Sequence, residues 1–138
     1  MEGKEYIFLD IHCPWLRGGR YNEALYSPGP ESPKMIAALK KFCDLLEVGQ
    51  QGAIIPYKES NNLPYGQGWN TASNYQGAAD APIQMASKTW AAGQENCVLG
   101  ITFEVPYANA EGAVVDDASC RELGRNMAKC FRRFLTAP

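Results

Sequence analysis

Apolar and polar residues alternate in the stretch "YIFLDIH" at 6–12, which sets Ile7, Leu9 and Ile11 on one face and Phe8, Asp10 and His12 on the other. That period of two predicts a strand. A second strand is predicted at 96–105, "NCVLGITFEV", apolar nearly throughout with one conspicuous carboxylate, Glu104. Between them the period changes to that of a helix. Ser32-Pro33 supplies an N-cap and a first-turn proline, and Met35, Ile36, Leu39, Phe42, Cys43 and Leu46 recur at helical spacing until Gly49. A shorter helix is expected from Pro82 to about Ala92, stopped by Gly93. Ser119-x-x-Glu122 forms a capping box for a last helix over 119–135, with Leu123, Met127, Cys130, Phe131 and Phe134 on one face. The stretches 15–32 and 50–81 are rich in Gly, Pro, Asn and aromatic residues and have no period, so they read as structured loops. The polar and aromatic content of the second suits a substrate rim better than a core. Apolar strands alternating with helices imply an α/β domain, its mixed, largely parallel sheet flanked by helices.

Composition narrows the function classes. A chain of 138 residues, 46% hydrophobic and 20% charged, is one domain's worth of globular protein. The formal net charge of -2, with basic residues only in short clusters such as Lys40-Lys41 and Arg132-Arg133, provides no footprint for nucleic acid. No apolar run reaches the ~20 residues of a membrane helix, and the first residues lack a signal-peptide core. The expected setting is therefore cytoplasmic by default, unless the chain is cut from something longer. Five cysteines without C-x-x-C spacing favour reduced thiols over a disulfide framework or a zinc knot.

Candidate chemistry collects at the strand ends, where open α/β sheets bind ligands. His12, the only histidine, closes the first strand, and Glu104 lies one residue before the end of the second. A neutral imidazole suits zinc, with a neighbouring acceptor holding its tautomer; Asp10, two residues earlier on the same face, is placed for that role. The residues alone leave two readings of His12 open, a metal ligand or a hydrogen-bonded histidine finishing a strand. Glu104 in an apolar strand is costly to bury unless paired or bound to something. Arg17 and Arg20 follow His12 in a loop where guanidinium groups could receive a peptide's terminal carboxylate. Cys13 reads as a small packing residue.

The segments "FLDIHCPW" and "GITFEVPY" together resemble two signature segments of the zinc carboxypeptidases. The likeness runs over nearly the whole chain, but sharp matching is confined to these two segments. It implies part of a phosphorylase/hydrolase-like zinc exopeptidase fold, with residues 1–138 as the C-terminal portion of the catalytic domain. His12 would be the last of three protein zinc ligands, Glu104 the general base and acid, and the helix at 119–135 the family's closing helix. "NYQGAAD" resembles the family's mobile tyrosine loop, making Tyr75 the substrate-closing tyrosine, with Tyr65 as second choice. The chain departs from the family in lacking the upstream H-x-x-E motif and any second histidine, so its zinc ligand set is incomplete and the isolated chain is expected to be inactive. The resemblance thus leads to a peptide or peptide-like substrate and to association, either with an upstream half or between copies through an exposed sheet edge. An aspartoacylase-like zinc deacylase and a non-catalytic binding module are the alternatives.

Overall fold

A computed structural model describes residues 3–17, 19–52, 54–75 and 86–136. Strand β1 (Tyr6–His12) pairs in parallel with β2 (Cys97–Glu104), in continuous register from Ile7 opposite Leu99 to His12 opposite Glu104. Helix α1 (Pro33–Gly49), the single turn α2 (Ala72–Tyr75) and the short helix α3 (Ser87–Ala92) separate the two strands in sequence. After β2 come a small hairpin, β3 (Asn109–Ala110) and β4 (Ala113–Val114), and the long helix α4 (Asp117–Thr136). The architecture is mixed α/β with a small parallel sheet. The expected helix from Pro82 is seen from Ser87; its first residues, 82–85, lie outside the described ones.

The period of two sorts the sheet. Ile7 and Leu9 of β1, with Leu99, Ile101 and Phe103 of β2, face the core formed with Leu39, Phe42, Cys43 and Leu46 of α1 and Leu123, Met127 and Cys130 of α4. Phe42 is fully buried, stacked on Phe131 with ring centroids 4.7 Å apart and edge-on to Phe134 at 6.2 Å. Phe8, Asp10 and His12 share the opposite face with Gly100, Thr102 and Glu104, their register partners. Helix α3 packs there. A Cβ on Gly100 would meet the Lys88 carbonyl oxygen at 2.9 Å, so this glycine admits the helix to hydrogen-bonding range of the polar side chains.

Two regions read as loops carry part of the frame. Tyr26 bridges antiparallel to Glu104, while Leu25 and Pro28 bridge in parallel to Tyr57 and Leu63. Asn70 is completely buried, and its amide donates to the carbonyls of Gly29 (3.0 Å) and Leu63 (2.9 Å).

The cap of α4 differs from the Ser119-x-x-Glu122 box. Ser119 N–H donates to Asp116 Oδ1 at 2.8 Å and Asp116 N–H donates to Ser119 Oγ at 2.9 Å, so the reciprocal pair is Asp116-x-x-Ser119, one turn earlier. Glu122 instead pairs with Arg125 at 2.8 Å. Asp in the capping position accepts from an orphan N–H as well as Ser does. Ser119→Ala is therefore expected to lower stability by about 1 kcal/mol, read from denaturant titration.

Candidate functional site

The register of the parallel pair brings His12 and Glu104 side by side at the carboxyl ends of β1 and β2. His12 Nε2 lies 3.1 Å from Glu104 Oε1, and its Nδ1 lies 3.2 Å from Asp10 Oδ1. The second Asp10 oxygen accepts from Ser87 Oγ at 2.9 Å and from Thr102 Oγ1 at 3.4 Å. Asp10 Oδ1 is thus placed to anchor the ring through Nδ1, while Glu104 Oε1 lies within hydrogen-bond reach of Nε2. The ring stands between two carboxylates, anchored by one and facing the other.

The two acids differ in environment. Burial works to raise the Asp10 carboxyl, but the His12 ring, the Ser87 hydroxyl and Thr102 together hold it below the ordinary carboxylate value. Burial dominates at Glu104, 5% exposed, and raises its carboxyl above the usual range against the pull of His12 and Lys88. Glu104 Oε2 is buried and makes no hydrogen bond. Lys88 is 6% exposed and donates from Nζ to the Pro28 carbonyl at 2.6 Å. Burial lowers its ammonium to about 8, with the charges of Glu104 and Asp10 opposing.

A cavity of about 540 Å³ opens at this point, lined by His12, Glu104, Cys13, Arg17, Trp15 and the rings of Tyr21, Tyr26 and Trp69. Its size and mixed lining suit a small ligand or the end of a larger one. Of the residues expected at the site, His12, Glu104 and Arg17 therefore share one cavity. Tyr75 stands behind it: its hydroxyl donates to Asn70 Oδ1 at 2.8 Å and its ring meets Trp69 edge-on at 6.5 Å. Burial, then the charge of Glu104, pushes the Tyr75 phenol up to about 12. Residues 76–80 of the loop assigned to it lie outside the described ones. Tyr65 lines a separate groove with Glu31, Ile36 and Pro64. Arg20 donates to the Tyr21 hydroxyl at 3.2 Å, and Cys13 sits exposed on the rim.

Sequence reasoning passed over Ser87, Lys88, Thr102, Tyr21 and Tyr26, and counted Trp69 only among the rim aromatics at 65, 69 and 75. Thr102 carried a signal, since alternation back from Glu104 places it on the same face. Among the described residues no group of three or more His, Cys, Asp or Glu is arranged to hold a metal ion. Comparison with protein-family models, curated proteins and solved structures yields no match to the chain. The helices described include none long and apolar enough to cross a membrane.

Proposed function

We propose that this chain carries part of a zinc-dependent carboxypeptidase site, His12 being one metal ligand and Glu104 the general base and acid. The observation that carries the reading is the 3.1 Å approach of His12 to Glu104 at adjoining strand tips, on a cavity that also holds Arg17. The donors fit one corner of a zinc site. An imidazole already anchored by Asp10 through Nδ1 is oriented as zinc-binding histidines are, and the unpartnered buried oxygen of Glu104 stands beside it. A catalytic zinc takes three protein ligands, so two more donors must come from outside the described residues. The outer edge of β1 has no strand partner among the described residues. A strand added there would run about 4.8 Å away, its tip level with His12, which suits an upstream segment bearing H-x-x-E.

Zinc, when bound, polarises the scissile carbonyl and makes water a stronger acid. The chain's own residues supply the rest. Asp10 orients the ring. Glu104 takes a proton from the attacking water and returns it to the leaving amine, and its raised carboxyl suits both duties. Arg17 receives the terminal carboxylate of the peptide as a bidentate partner.

The test is zinc analysis and peptide hydrolysis with the chain alone and reconstituted with an upstream polypeptide bearing H-x-x-E. One zinc per reconstituted protein and release of C-terminal amino acids are expected, both lost in His12→Ala. Zinc retained at full stoichiometry in His12→Ala would remove the ligand assignment. Cleavage of N-acyl amino acids with peptides left intact would replace the peptidase by a deacylase.

A further inference from the structure

The cavity at His12 and Glu104 has a wall that proton transfer does not use. Four aromatic rings from the two long loops, Trp15, Tyr21, Tyr26 and Trp69, line it together with the Glu104 carboxylate. The rings are held from behind. Tyr21 and Tyr26 have centroids 5.4 Å apart and planes at 44°, so they form a corner. The Trp69 indole donates to the Tyr26 hydroxyl and its ring meets Tyr75 edge-on. Gly68 has φ 52°, and a Cβ there would come within 2.8 Å of the Tyr21 hydroxyl, so the glycine keeps room for that ring. The Arg20 guanidinium lies 5.0 Å from the centre of the Tyr21 ring, but Arg20 lines the neighbouring cavity and not this one.

Glu104 supplies the charge. It is 5% exposed, and among the described residues its Oε2 has no hydrogen-bond partner, so a buried carboxylate oxygen stands in the cavity wall without a donor. An anion there would meet like charge, and a neutral apolar group would leave the oxygen unanswered. A cation answers it, and the negative faces of the rings favour the same sign. The free acceptors decide which cation. The Tyr21 hydroxyl already accepts from Arg20 at 3.2 Å and the Tyr26 hydroxyl from Trp69, so a primary ammonium would bring three N–H donors to a wall that answers few of them. A quaternary ammonium has no N–H to strand, and its methyl groups carry the charge onto the ring faces. Arg17 at the exposed mouth opposes a bare cation but pairs with a carboxylate on the same molecule. We infer that the cavity binds a small zwitterion, its trimethylammonium head held by the four rings and Glu104 and its carboxylate by Arg17. The inference goes beyond the carboxypeptidase reading and needs neither zinc nor an upstream segment.

NMR titration of the full chain in the presence of a chelator compares three ligands of similar length. They are 4-(trimethylammonio)butanoate, its isostere with an uncharged head, 5,5-dimethylhexanoate, and the primary amine 4-aminobutanoate. The trimethylammonium compound is expected to bind about tenfold tighter than either of the others. It should shift the indole N–H signals of Trp15 and Trp69 and leave that of Trp90, which does not line the cavity. Glu104→Gln should lose most of the preference, and Trp15→Leu, at an exposed position, about threefold in affinity with the fold unchanged. Equal affinity for the isostere would mean that Arg17 alone holds the carboxylate, and equal affinity for the primary amine that its N–H donors are answered. Either result overturns the assignment, as does absence of binding or a preference that survives both substitutions. With no zinc and no upstream polypeptide present, these outcomes are separate from those of the hydrolysis test.

Discussion

Glu104→Gln is expected to lower kcat for peptide hydrolysis in the reconstituted protein about a thousandfold, within the 10²–10⁴ range of general acid–base catalysis, with little change in KM. The amide keeps the shape of the carboxylate, and the ring stays anchored through Nδ1 by Asp10, so the cavity wall stays in place. What it loses is the capacity to take up and release a proton. Stability should move the other way. Burial raises the Glu104 carboxyl, so its charged form is disfavoured in the folded chain, and stability falls as pH rises from the unfolded carboxyl value through the folded one. Glutamine, which bears no charge at any pH, removes that cost. Glu104→Gln should therefore melt no lower than the parent at pH 7 while being nearly inactive. Hydrolysis within tenfold of the parent would take the proton-transfer role away from Glu104; a lower melting temperature would show that its charge is compensated better than one 3.1 Å contact implies.

The same geometry shows what could be read from sequence and what could not. The buried face of α1, Met35, Leu39, Phe42, Cys43 and Leu46, was legible because a helix against a core must repeat its apolar residues every third or fourth position. Alternation likewise put Asp10 and His12 on one face of β1, and the structure shows those two side chains meeting at 3.2 Å. The pairing of His12 with Glu104 needed the register as well. No local pattern encodes register between strands 92 residues apart, where packing of both faces decides it. The loops were harder still. Asn70 lies in a polar stretch read as a substrate rim, yet it is completely buried, because its amide satisfies the carbonyls of Gly29 and Leu63. Tyr57, from the same stretch, is a core residue packed edge-on against Phe103 with centroids 5.6 Å apart. Polar composition marks a surface only when nothing inside can answer its hydrogen bonds.

Lys88 had no sequence signal at all, and it carries the second large expectation. In the folded chain burial lowers its ammonium from 10.5 to about 8, while Glu104 and Asp10 pull the other way. Between those two values the unfolded chain holds a proton that the folded chain has released, so the Lys88 contribution to stability rises with pH across the window. The difference corresponds to roughly 3 kcal/mol. Lys88→Met, which fills similar space without a charge, should lack this rise. Cys43 and Cys130, whose thiols burial raises from 9.0 to about 11, and Tyr26 and Tyr57, whose phenols it raises far above their ordinary value, lower stability from about pH 9 upward in both proteins alike. Denaturant titrations of the two proteins from pH 7 to 10.5 should therefore diverge by roughly 3 kcal/mol, the parent gaining on the variant. Below pH 8 the parent bears the cost of a buried cation but keeps its bond to the Pro28 carbonyl, so the two start close together. The substitution also reaches the site. Lys88 helps hold Glu104 ionised, so Lys88→Met should push the Glu104 carboxyl higher and move the acid limb of the pH–rate profile upward in the reconstituted protein. Parallel stability curves for parent and variant would mean that the Lys88 ammonium is solvated, and an unmoved acid limb that its charge does not reach Glu104.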